Sequence, residues 1–247
     1  MEEKISKSAF CEDSRVKFPT LMHLMGMGFK YVSLKGLKTK YVIAPKTEFD
    51  PLTNILTDYF TEAYNKLNPN VEIGAAGKLL AKIQSSLMND DLGRQFHNEI
   101  LLNTGERIID LSSPANFYKN NTFQITTEMT CGDKDSDNYR LDITLFVNGL
   151  PLAFIEVKKE NNHKGIQAET DRMKQRFVNP KYRRFLNLTQ IMVFSNDMEY
   201  DNNEVTPTIG AFYATIGKKN TKYNCFREEG QDSFPIERHI RQVPLQE

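Results

Sequence analysis

Apolar residues recur at helical spacing along the first third of the chain. Across residues 14–29, Phe18, Leu21, Met22, Met25 and Met27 follow a helical period, Pro19 is tolerable only in a first turn, and Gly26 and Gly28 close the segment. A helix ending near Gly28 is expected, followed by a short strand over 31–34. Asp50 and Pro51 open a second helical pattern, in which Leu52, Ile55, Leu56, Tyr59, Phe60 and Ala63 recur three and four apart until Asn68-Pro69 stops it. Leu79, Leu80, Ile83 and Leu87 form the stripe of a third helix over 76–88. The Met-rich "LMHLMGMGF" reads as core filler rather than a binding groove, and His23 within it as a surface or satisfied histidine rather than a ligand.

Residues 96–111 are mixed, and the Ser-Ser-Pro and Asn-Asn clusters mark 112–121 as a loop. The period then changes to two. Strands are expected at 123–130, 140–147 and 152–157, then a helix over about 166–177 with Ile166, Met173 and Phe177 on one face, then an apolar strand at 190–195. An antiparallel meander followed by a helical crossover gives a mixed sheet, which the earlier helices can cover on its other face. The expected fold is therefore α/β, a three-layer α/β/α arrangement around a central mixed sheet. After Tyr200 the chain turns polar, and "GKKNTKYNCFREEGQDSFP" reads as an exposed connection, so residues 1–202 are expected to form the domain and 203–247 a polar extension.

The hairpin centred on Asn148-Gly149 carries charges inside an apolar pattern: Asp142 on its first strand, Glu156 and Lys158 on its second. Whether they meet depends on register. A two-residue Asn-Gly turn pairs Val147 with Leu150, an odd sum of residue numbers, which points Asp142 away from Glu156. An odd-length turn or a compensating bulge makes the sum even and brings the two acids onto one face, so one of these is expected. Phe146, Leu152 and Phe154 on that face argue against a fully wet surface. Two carboxylates in a partly buried place raise each other's pKa unless a cation intervenes, and hard oxygen ligands in this number suit Mg²⁺. Metal-dependent phosphodiester hydrolysis and a structural charge network both fit this D…E-x-K pattern.

Composition narrows the classes. The 247 residues are 39% hydrophobic, enough for a packed core, and 32 basic residues balance 32 acidic ones. Overall charge thus gives no argument for nucleic acid, but the stretch 158–184 is locally basic, with Lys158, Lys159, Lys164, Arg172, Lys174, Arg176, Lys181, Arg183 and Arg184 against Glu160, Glu169 and Asp171. Scattered cysteines and histidines exclude a disulfide framework and a zinc motif. No apolar run of about 18 residues suggests a membrane span, and no secretory signal opens the chain, so a cytoplasmic protein without membrane attachment is expected.

The stretch "LDITLFVNGLPLAFIEVKK" resembles the strand-NGLPL-strand hairpin, ending in E-x-K, of the N-terminal endonuclease region of the restriction subunit of type I restriction-modification enzymes, within the PD-(D/E)xK nuclease superfamily. The likeness extends more loosely through "LMHLMGMGFKYVS", "LTDYFTEAYNKLNPN" and "QIMVFSNDMEY", to about Asn202. It implies a restriction-endonuclease-like fold, with Asp142 and Glu156 as metal ligands, the Val157 carbonyl as a third, and Lys158 as the catalytic lysine. It further implies Mg²⁺ with Mn²⁺ as a substitute, double-stranded DNA as substrate, and modification and specificity subunits as partners. Two positions depart from the pattern. Leu141 stands where the superfamily name has proline, and Gln167 is followed by Asp171 where many relatives complete Gln-x-x-x-Tyr. Gln167, Glu169 and Arg172 are candidate accessory residues in place of that motif.

On this reading Lys159, Lys164, Arg172, Lys174 and Arg176 would bind DNA phosphates without reading bases, and sequence choice would come from partner subunits. Glu12, Asp13 or Glu99 would be sources of a further acid for the metal. Gly77-Lys78 is followed by leucine and Gly217-Lys218 by lysine, so a phosphate-binding G-x-x-x-x-G-K-[ST] loop is absent and ATP would act only through motor domains outside this chain, toward which the polar extension would lead. The alternatives are a non-catalytic module docking DNA or a subunit, and a stand-alone resolvase or repair nuclease.

Overall fold

The computed structural model describes residues 16–38, 43–44, 46–102, 105–131, 139–159, 165–196, 211–215 and 224–226. Its centre is the hairpin of β5 (Tyr139–Val147) and β6 (Leu150–Val157). Asn148 and Gly149 both take positive φ, 51° and 77°, as a tight two-residue turn matching the strand twist demands. Asn148 is held by its amide: Oδ1 accepts from the Thr122 N–H at 2.8 Å, while Nδ2 donates to the Ile108 carbonyl and to Asn121 Oδ1, each at 2.8 Å. A Cβ on Gly149 would lie 2.5 Å from the Leu56 carbonyl oxygen, so only glycine fits.

This turn pairs Val147 with Leu150 and Phe146 with Pro151, and the register then shifts so that Leu145 faces Ala153, Thr144 faces Phe154 and Ile143 faces Ile155. The inserted residue is Leu152, beside a proline that has no N–H to offer a regular ladder. The bulge is the compensating one that the charge pattern required, and carried on by one step it sets Asp142 against Glu156.

The sheet is mixed and seven-stranded, in the order β1, β4, β5, β6, β7, β8, β9. β1 (Lys30–Tyr31) runs parallel to β4 (Phe123–Cys131), β4 is antiparallel to β5, and after the hairpin α5 (Gly165–Phe177) crosses over to β7 (Ile191–Ser195), parallel to β6. β8 (Ala211–Thr215) and β9 (Asn224–Phe226) continue it antiparallel. A separate two-stranded ribbon joins β2 (Leu37–Lys38) and β3 (Ile43–Ala44).

Helices α2 (Thr57–Leu67) and α3 (Ala75–Ser86) and a π-helical turn (Phe96–Leu101) bury Phe60, Tyr64, Leu79, Ile83, Phe96 and Ile100 with Leu150 of the hairpin. Leu24 of α1 (Phe18–Gly26) packs with Ile125, Ile143 and Ile155. Phe154, Met192 and Phe194 instead pack with Met173 of α5 and with Phe185 and Leu186 of α6 (Arg183–Leu188). The α/β class is therefore as expected.

Several elements differ from the sequence reading. The second helix begins at Thr57 rather than at Asp50: the Asp50 carboxylate accepts from the Leu52 N–H and the Thr53 hydroxyl, making a turn, and Asn54 then takes φ 62°. The expected loop at 112–121 contains α4 (Pro114–Asn120), capped by the Ser113 hydroxyl accepting from the Asn116 N–H, with Pro114 in the first turn. α6 starts on the last two arginines of the basic stretch and runs beyond it, burying Phe185, Leu186 and Leu188. β8 and β9 lie in the segment read as a polar extension, β9 within the stretch read as an exposed connection. Nor is the Met-rich segment core filler throughout, since Phe18, Met22 and Met25 are exposed and Leu24 is the buried residue of that helix. His23 is exposed, as read.

Candidate active site

Regular pairing between β5 and β6 ends at Ile143 and Ile155, and the next step of the ladder is made by a side chain. Asp142 Oδ2 accepts the Val157 N–H at 2.9 Å, which fixes this carboxylate between the two strands at the point where they part. Glu156 is held from the other side by parallel pairing with Phe194 of β7, and it is only 4% exposed. Burial pushes its carboxyl up to about 9, reinforced by the charges of Asp142 and Glu169 and opposed by Lys158. Its Oε1 has no hydrogen-bond partner. A buried, orphaned carboxyl oxygen beside a second acid is a place that asks for a cation.

Lys158 reaches the same spot. Its backbone N–H donates to the Ser195 carbonyl at 2.8 Å, extending the β6–β7 ladder, and its side chain is 13% exposed. Nζ lies 3.8 Å from Glu156 Oε2 and 3.3 Å from Glu169 Oε2. Glu169 comes from α5 and is 1% exposed, and it collects Arg172 at 3.0 Å and Arg176 at 3.1 Å as well as Lys158. The Arg176 guanidinium also sits 3.5 Å from the centre of the Tyr139 ring. The neighbouring Cys131 thiol and Tyr139 hydroxyl are pushed up, mainly by burial and then by Glu156.

The structure thus brings Asp142, Glu156, Val157 and Lys158 together and adds Glu169 as the partner of the lysine. The basic residues divide. Lys159, Arg172 and Lys174 are exposed, Arg172 pairing with Glu169 and Lys174 with Asp171, whereas Arg176 turns inward against Glu169 and Tyr139. Lys164, Glu12 and Asp13 lie outside the described residues, as do the side chains of Gln167 and Glu99.

Sequence reasoning missed the other flank of Asp142. Lys17, at the start of α1, places Nζ 3.4 Å from Asp142 Oδ1 and pairs with Glu128 Oε1; Glu128 Oε2 pairs in turn with Arg140. Glu128 takes φ 57° in the middle of β4, a left-handed conformation rare for such a residue. The next residue but one is tied down by Asn54, whose Nδ2 donates to the Thr130 carbonyl at 2.8 Å. Lys17 and Glu128 stand 111 positions apart, so no local pattern points to them.

The family model for the type I restriction enzyme R protein N terminus matches residues 10–205, which include every residue of this site. The chain belongs to that family. Comparison with curated protein sequences gives no significant match. For a member of the type I restriction enzyme R protein N-terminal family, the D…E-x-K hairpin is the centre around which the matched region is arranged. Among the described residues, no three His, Cys, Asp or Glu side chains form a metal-binding group by themselves, and no helix is long and apolar enough to cross a membrane.

Proposed function

We propose that this chain is a Mg²⁺-dependent DNA endonuclease domain of a type I restriction enzyme, with a three-layer α/β/α, restriction-endonuclease-like fold. The observation that carries the reading is the bulged register that sets Asp142 against Glu156, with Lys158 two residues on. The layering is supported by neighbouring residues of β6: Phe154 packs toward α5 and α6, and Ile155 toward α1.

The donors fit a hard divalent ion. Asp142 and Glu156 would hold it with the Val157 carbonyl, leaving positions for water and a substrate phosphate, which is how Mg²⁺ is ordinarily bound. A raised Glu156 pKa and an unpartnered Oε1 are what such a site has before the ion neutralises it. When bound, the ion would supply Lewis-acid polarisation of the phosphate and an activated water.

The remaining steps fall to the chain. Asp142, fixed by the Val157 N–H, orients one side of the site. Glu156 gives up its proton when its charge is compensated. Lys158, tethered by Glu169, presents an ammonium to the oxygen on which charge builds as the phosphodiester bond breaks. Lys159, Arg172 and Lys174 stand outside it as contacts for the DNA backbone, and sequence choice comes from partner subunits.

One observation favours a second reading, a docking module in which the charges are structural. Lys158 sits closer to Glu169 than to Glu156, inside a network that also includes Arg172 and Arg176. Calorimetric titration with Mn²⁺ separates the two, since docking alone needs no metal at the acids. In the assembled enzyme, Asp142→Ala, Glu156→Ala and Lys158→Ala should each abolish plasmid nicking with Mg²⁺. Cleavage at wild-type rate by these variants would defeat the nuclease reading.

A further inference from the structure

We propose that Lys17 is a built-in counter-cation of Asp142 that competes with the divalent ion, and that Glu128 holds it in reserve; this rests on the metal-site reading above. The Lys17 side chain is only 11% exposed and directly precedes α1 on helical backbone, with two acids against its ammonium. They hold it unequally: the pair with Glu128 is the close one, and Asp142 Oδ1 lies at 3.4 Å.

The other Asp142 oxygen, Oδ2, is taken by the Val157 N–H, so the oxygen facing Lys17 is the freer one for a metal. An ammonium and a divalent ion sharing that carboxylate repel each other. Arrival of the ion loosens the longer contact while Glu128 keeps its hold on the Lys17 ammonium. The left-handed backbone at Glu128 points to the same role, because a strained non-glycine residue within a strand beside a site is retained where its side chain must be aimed.

The test is calorimetric titration of the 247-residue chain with Mn²⁺ alone, in a double-mutant cycle. Removing the competitor with Lys17→Met should tighten Mn²⁺ binding by roughly three- to tenfold, the scale of one partly buried ion pair. Glu128→Gln, which removes the closer of the two acids from Lys17, should weaken binding by a similar factor. In the Lys17→Met background, the same Glu128→Gln change should have almost no effect, since the lysine through which it acts is gone.

Additive effects in the cycle would mean simple field effects and would overturn the proposal, as would unchanged or weaker binding in Lys17→Met. A thermal melt accompanies each variant, and for one that is not folded Lys17→Gln or Glu128→Ala takes its place in the cycle. Wild-type chain that binds Mn²⁺ with unaltered affinity in Lys17→Met sinks this inference only. If neither binds Mn²⁺, the metal-site reading falls and takes this one with it.

Discussion

Glu156 should make the metal-free protein less stable as the pH rises. In the fold its carboxyl keeps a proton up to about 9, whereas its ordinary value is 4.5. Between those values the folded state binds a proton that the unfolded state has released, so the protein loses stability with increasing pH across that window. Each pH unit within it is worth about 1.4 kcal/mol, so near neutrality the loss relative to acid conditions comes to about 3 kcal/mol. Glu156→Gln keeps the shape and a hydrogen-bond donor toward Asp142 but has nothing to ionise. Urea unfolding in the presence of a chelator, near pH 5.5, 7 and 8.5, compares the two. Wild-type stability should fall across the series, the variant should fall much less, and the variant should be the more stable protein at the alkaline end. Added Mg²⁺ should restore the wild type and leave the variant nearly unchanged. Parallel pH profiles for the two proteins would refute the reasoning, because they would mean that Glu156 is not where the proton is held.

Gly149→Ala should destabilise the domain by at least about 2 kcal/mol in urea unfolding, because the new methyl meets the Leu56 carbonyl and the backbone has positive φ. Glu169→Gln should lower kcat of DNA cleavage in the assembled enzyme, since it loosens Lys158, and should raise KM as well, since it also releases Arg172; an unchanged kcat would contradict this. Cys131, wholly buried with its thiol pushed up, should resist thiol reagents in the native protein and react only after unfolding, which a colorimetric thiol assay follows.

The site was legible where its chemistry is local. Asn148-Gly149 announces its turn, and the placement of Asp142 against Glu156 required a bulge that Pro151 and Leu152 supply. Lys158 follows Glu156 by strand alternation, and Glu169 fell within the basic stretch that follows. Other features depend on contacts that a one-dimensional pattern cannot carry. Lys17 reaches Asp142 only because α1 packs on Ile125 and Ile143. Arg176 reads as a surface cation in sequence and becomes a half-buried partner of Glu169 stacked on Tyr139. At Asp50 the signal was misassigned rather than missing, since an Asp-Pro start suits a helix and a turn alike, and the side-chain bonds to Leu52 and Thr53 decide for the turn. Ser113-Pro114 was likewise cap chemistry taken for loop chemistry.

Hairpin tips are ordinarily where a chain accepts inserted sequence most readily. In this protein the tip at Asn148-Gly149 is enclosed instead: the Gly149 carbonyl accepts the Leu56 N–H just before α2, and the Asn148 amide ties in residues from two other segments, at Ile108 and at Asn121-Thr122. Epitope tags, fluorescent fusions or permuted termini introduced there would separate the strands that carry Asp142 and Glu156 from the helices packed on Leu150. The surface end of α4 is the better place to open the chain.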